Sequence, residues 1–200
     1  MPDNINILTP FSRPENKEIL IEHLRLFNIH WYPIIHEEIV FNEDWITPIR
    51  ISNMPANLDY CYFKLNYFLD FCSPEPEDYY GVLCDDDFYE NDFFEKLRMN
   101  LGSAVLIVSM KRGLYERHEL GKIIHPITTL NARPDNMFLE RIGLEQMFIK
   151  GWLFRKLRFL NFTGADGYMA EFLAKHIKDI RYIPDVNVLF NWLEKGRWSR

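Results

Sequence analysis

The chain has 200 residues and a mass of 24.1 kDa, the size of one ordinary domain and enough to bury a core without disulfides or structural metal. Its hydrophobic fraction of 48% and charged fraction of 26% exclude intrinsic disorder. A net charge of −6 argues against nucleic acid as a partner, because phosphate neutralisation needs cations.

Ile5–Leu8 is a short apolar run closing on Thr9-Pro10 and reads as a buried strand. Ser12-Arg13-Pro14-Glu15 has the form of a capping box, and Leu20, Leu24 and Phe27 then share a helix face. Trp31–Ile35 is a second strand ending near Glu37 and Glu38, and Ile46–Ile51 a third. Residues Leu58 to Cys72 keep helical spacing, with Asn57 as cap, until Ser73-Pro-Glu-Pro breaks them. Tyr79–Cys84 is a core strand, Asn91–Leu101 a helix and Ser103–Met110 another strand. The alternation predicts an α/β domain with a mainly parallel, twisted sheet flanked by helices. Residues 111–135 read as loops, a helix is expected from about Met137 to Arg158, and another follows Asp166. The tail holds one short strand and an aromatic-basic end (Trp192, Arg197, Trp198) suited to sugar stacking or to packing on the core.

The strongest local signal is Cys84-Asp85-Asp86-Asp87 at the carboxyl end of a core strand. Adjacent carboxylates repel, a divalent cation relieves the repulsion, and ligands collect at that edge of an open parallel sheet. The bland alternative is a solvated acidic turn capping the next helix. Asp166, between Gly164 and Gly167 at a helix start, is a candidate base or simply a cap; Glu145 and Glu171 are its reserves. The histidines are scattered, and His36-Glu37-Glu38 is not HExxH, which excludes a zincin-type site. Lys111-Arg112 and Arg117-His118 suit a diphosphate, though a solvated loop explains them better. Three widely spaced cysteines, Cys61, Cys72 and Cys84, favour a reducing, cytoplasmic setting. Neither a signal peptide nor a membrane span is expected.

Taken together, Thr9-Pro10-Phe11-Ser12-Arg13, His30-Trp31 through Glu37, Lys64-Leu65-Asn66 and the Asp-x-Asp of Asp85 and Asp87 resemble glycosyltransferases of the GT-A fold, of the family-2-like, Asp-x-Asp type. The resemblance covers residues 5–100 well and the second half loosely. It implies one domain over residues 1–200, with a nucleotide-binding half (1–100) and an acceptor-side half (101–200). It further implies transfer of a sugar from a nucleoside-diphosphate sugar, UDP-sugar favoured, to a saccharide or other hydroxyl acceptor, with inversion. Mn²⁺ or Mg²⁺ would be held by Asp87 with Asp85. Pro10, Arg13, Glu37, Lys64, Asn66, Asp85 and Asp86 would meet the nucleotide, and Asp166 would be the base. The chain is short for that family, so another protein or an oligomer is expected to help hold the acceptor. The alternative is a non-catalytic carbohydrate- or nucleotide-binding domain of the same fold. A haloacid-dehalogenase-like phosphatase is disfavoured because Phe88-Tyr89 follows the acids, and a nucleotidyltransferase because the first loop has no glycine.

Overall fold

The computed structural model of the chain describes residues 4–36, 38–52, 60–112, 128–139, 141–162 and 164–190. In chain order the strands are β1 (Ile5–Pro10), β2 (His30–Ile35), β3 (Ile49–Arg50), β4 (Tyr79–Val82), β5 (Phe88–Tyr89), β6 (Val105–Arg112), β7 (Thr128–Leu130), β8 (Met147–Lys150) and β9 (Ile180–Phe190). The helices are α1 (Lys17–Leu24), α2 (Tyr60–Phe71), α3 (Phe93–Arg98), α4 (Gly151–Phe154) and α5 (Ala165–His176).

One sheet runs β3-β2-β1-β4-β8-β6-β9-β5, with β7 beside the far end of β6. β3, β2, β1 and β4 are mutually parallel, as are β6 and β9, and most paired residues lie in these ladders. The antiparallel pairs join β8 to β4 and β6, β7 to β6, and β5 to β9. The mainly parallel α/β expectation therefore holds.

Side chains alternate across the strands, and both faces are covered, as a parallel sheet requires. Ile5, Ile7, Trp31, Leu106, Val108 and Phe148 pack under α1 and α3. Leu8, Ile34, Val105, Ile107, Met147 and Ile149 pack under α2, α4 and α5. Polar groups inside the core find partners at several points; Trp31 Nε1, for instance, donates to Thr9 Oγ1 at 2.9 Å.

Four sequence expectations are corrected. Residues 137–158 form no single helix: Leu144–Gln146 is a 3₁₀ turn, Met147–Lys150 enters the sheet as β8, and only Gly151–Phe154 is helical. The short tail strand is the eleven-residue β9. Lys111 and Arg112 end β6 instead of lying in a solvated loop. Ser12 does not cap the first helix, which opens with a 3₁₀ turn at Pro14–Asn16 without a side-chain cap, because Ser12 is turned toward other partners. Asn57, Leu58, Arg117, His118, Trp192, Arg197 and Trp198 lie outside the described residues.

Candidate functional site

The carboxyl ends of β1 and β4 are neighbours, because the strands are parallel and Leu8 pairs with Val82. Pro10 ends β1 opposite Ile34, and the chain beyond it is bound to the acids that follow β4. One oxygen of Asp85 accepts from the backbone amides of Ser12 and Arg13, the latter at 2.8 Å; the other meets the Arg13 guanidinium. Arg13 also reaches Asp86 at 3.3 Å, and the Asp85 carbonyl accepts from Asn16 Nδ2 at 2.8 Å. Lys64, wholly buried on α2, steadies the same loop by donating to the Phe11 carbonyl and, at 3.0 Å, to Ser12 Oγ.

Asp85, Asp86 and Asp87 are only 2%, 3% and 0% exposed. That overturns the solvated-turn reading of the triplet. Burial of this kind is sustained only by pairing and hydrogen bonds, and Arg13 with the two loop amides supplies them for Asp85.

Around Asp87 a second group assembles. Cys84 Sγ and carboxylate oxygens of Asp87 and Glu145 all lie within 4.8 Å of one another, and the thiol donates to Glu145 Oε1 at 2.9 Å. Glu145 comes from the 3₁₀ turn before β8, beside Gly143, where a Cβ would stand 2.7 Å from Glu145 Oε2 and from Met110 Cε. Burial pushes the Glu145 carboxyl up from its ordinary value, and hydrogen bonds with Cys84 and with its own backbone oppose the shift. The Cys84 thiol is pushed up as well, by its hydrogen bond with Cys61 and by burial.

Asp166 lies in the first turn of α5, with Gly164 in the N-cap place at a left-handed φ of 91°; it is therefore not the cap. Its Oδ1 accepts from the Gly167 amide at 2.9 Å. Burial raises its carboxyl, while the Gly167 amide, the Arg112 cation and the Tyr62 hydroxyl hold it down. Glu145 feels both Asp166 and Arg112, so the two carboxylates share one electrostatic neighbourhood with that cation. Arg112 also lies over the Phe190 ring, 5.0 Å from its centroid.

The remaining expected residues divide. Asn66 spends its amide on both backbone groups of Phe159, at 2.8 and 2.9 Å, and ties α2 to the segment after α4. Glu171 is exposed and accepts from the Leu139 amide at 3.2 Å. Glu37 lies outside the described residues. Sequence reasoning gave no role to Cys84, although it adjoins the triplet, or to Tyr62, which is one apolar-stripe residue among many on α2. No helix among the described residues is long and apolar enough to cross a membrane.

Neither a protein-family profile nor any curated protein matches the chain. Among solved structures, the inositol-1-phosphate CTP transferase from T. maritima is similar with a TM-score of 0.47 and 7% identity, over 94% of this chain and 89% of that one. A protein provisionally named as a glucose-1-phosphate thymidylyltransferase from Bacillus anthracis, solved with sucrose, gives 0.45 and 11%, over 90% and 86%. HddC from Yersinia pseudotuberculosis gives 0.44 and 10%, over 94% and 92%.

Proposed function

We propose that this chain is a glycosyltransferase that moves a sugar from a nucleoside-diphosphate sugar, UDP-sugar favoured, to a saccharide or other hydroxyl. The observation that carries the reading is the junction of the β1 loop with the acids after β4, Arg13 pairing with Asp85 and Asp86, with Glu145 gathered at Asp87. A nucleotide laid over the ends of β1 and β2 would meet Pro10, Arg13 and Glu37, with Asp85 and Asp86 toward the ribose and diphosphate. Lys64 supports that floor through Phe11 and Ser12. Asn66 serves it at a distance, by fixing α2.

Asp87 would be the ligand for the Mn²⁺ or Mg²⁺ that the resemblance implies, an ion that would supply stabilisation of the departing diphosphate. The donors gathered at Asp87 are a thiol and a carboxylate rather than the oxygen set such ions prefer. Asp85 meanwhile is committed to Arg13 and the loop amides. The transfer itself is in-line displacement. The acceptor oxygen bonds to the anomeric carbon, the bond to the diphosphate oxygen breaks with its electron pair, and the acceptor proton passes to Asp166. A carboxyl raised by burial is a better proton acceptor than an ordinary aspartate.

The test is product analysis. Purified chain with UDP-sugars, a divalent ion and a panel of hydroxyl acceptors should release UDP as the glycoside forms. Release of pyrophosphate from a nucleoside triphosphate and a sugar phosphate would identify nucleotidyl transfer instead. Binding of free glycans without either product would identify the non-catalytic alternative.

A further inference from the structure

The group around Asp87 has a composition of its own, one sulfur and two carboxylates. Asp87 is wholly buried and Glu145 is 6% exposed, so ionised together they repel with little water to screen them. A second observation lies two residues beyond Asp87. Tyr89 is 1% exposed, and among the described residues its buried hydroxyl makes no hydrogen bond. The acidic groups that this hydroxyl senses are Glu145, Asp87 and Cys84. Its ring packs against Phe93 and Phe94 at 4.3 and 4.8 Å, contacts that phenylalanine would make equally well. Leaving a buried phenol oxygen unsatisfied is destabilising, a cost that a bound ion with its water would remove. Gly143 leaves room for the Glu145 carboxylate in the same space.

We infer that Cys84, Asp87 and Glu145 form a site for one thiophilic divalent ion of the zinc class, with the Tyr89 hydroxyl as hydrogen-bond partner to its coordination shell. Thiolate together with carboxylate suits Zn²⁺ or Co²⁺, whereas Mg²⁺ and Mn²⁺ favour all-oxygen sets. On binding, the Cys84 thiol yields its proton to solvent and its sulfur takes the metal; nothing is oxidised or reduced. The inference shares with the proposed function only the role of Asp87 as a ligand. It needs neither nucleotide nor transfer.

The experiment is a titration of the metal-free chain with Co²⁺, in a phosphine reductant that keeps Cys84 and its neighbour Cys61 as thiols. One equivalent should bind with a near-ultraviolet thiolate-to-cobalt charge-transfer band, and Zn²⁺ should displace it. Cys84→Ser should lose the band, while Cys72→Ser, at the end of α2, should keep it. Tyr89→Phe should weaken Zn²⁺ binding by about 10-fold without lowering the stability of the metal-free chain. If Cys84→Ser does not fold, Glu145→Gln carries the test, with an expected loss of at least about 10-fold in Zn²⁺ affinity. A folded wild type without the band, a band that survives Cys84→Ser, or Zn²⁺ affinity untouched by Glu145→Gln would overturn the site. A chain that gives no cobalt band yet transfers sugar would overturn the site and leave the proposed function standing. An intact cobalt band in a chain that transfers no sugar would do the reverse.

Discussion

At the scale of single residues, Asp85 and Asp166 make different forecasts. Asp85 is buried against Arg13, so its removal takes one of the two carboxylates that face this cation and strands two backbone amides; Asp85→Ala should cost about 3 kcal/mol. In the double variant with Arg13→Ala the two losses should fall short of their sum, as urea titrations of all four proteins would register. Asp166 bears no such weight. Asp166→Asn should leave stability and donor affinity nearly unchanged and lower turnover by about 10²–10⁴-fold. A near-wild-type rate would pass the role of base to Glu145. The pH profile adds a sign. Because burial raises the Asp166 carboxyl, and a base must be deprotonated to act, activity should fail on acidification at a higher pH than an ordinary aspartate would give. Arg112 opposes that rise, so Arg112→Ala should move the acid limb of kcat further up.

At the scale of elements, α1 holds a titrating group that reports on packing. His23 is buried, stacks on Phe88 with centroids 3.9 Å apart, and accepts from the Tyr89 amide through Nε2 at 3.1 Å. Burial lowers its pKa to about 4. The neutral ring is the folded form, so its contribution is complete above the unfolded value of about 6.5 and is lost as pH falls from there toward 4. Between pH 7 and pH 5 the wild type should therefore lose about 2 kcal/mol relative to His23→Gln. The difference between the two proteins is the quantity to measure, since Glu145 and Asp166, with raised carboxyls, shift the total the opposite way. The same scale shows what the sequence could reveal. The strand, helix and strand from Ile5 to Ile35 were legible because apolar periodicity changes from 2 to 3.6 between turn residues. Strand β8 was not: Met147-Phe148-Ile149 and Trp152-Leu153-Phe154 are apolar runs of three divided by Lys150-Gly151, each too short for a period to tell strand from helix. β9 was under-read because its partner β6 lies some 75 residues upstream, a distance no local pattern spans. The acids of the site were legible from Asp85 to Asp87, whereas the gathering of Glu145 and Asp166 beside them depends on β8 and α5 and was not.

At the scale of the whole molecule, the parallel strands β3-β2-β1-β4 meet the mixed remainder at one seam, the short antiparallel pair of β4 and β8. Cys84 and the acids leave the sheet just past β4 and Glu145 just before β8, so the site straddles this seam and its geometry depends on how closely the two strands lie. The closeness comes from one small residue and one large one. Phe148 is fully buried and packs toward Phe93 and Tyr89 with centroids 5.6 and 6.4 Å away. Its ring lies over Gly81, where a Cβ would come within 2.4 Å of Cε1. A glycine inside a strand ordinarily weakens it, and here it admits the ring. Gly81→Ala should therefore destabilise by about 1–3 kcal/mol through overpacking, although alanine is the better strand residue. Phe148→Leu, which withdraws the ring from that spot, should be destabilising alone. In combination, the alanine should cost less than it does in the wild type, and a double-mutant cycle by denaturant unfolding measures that coupling. Strict additivity would mean that the seam relaxes around the new methyl, and that the approach of β4 to β8 is set elsewhere in the sheet.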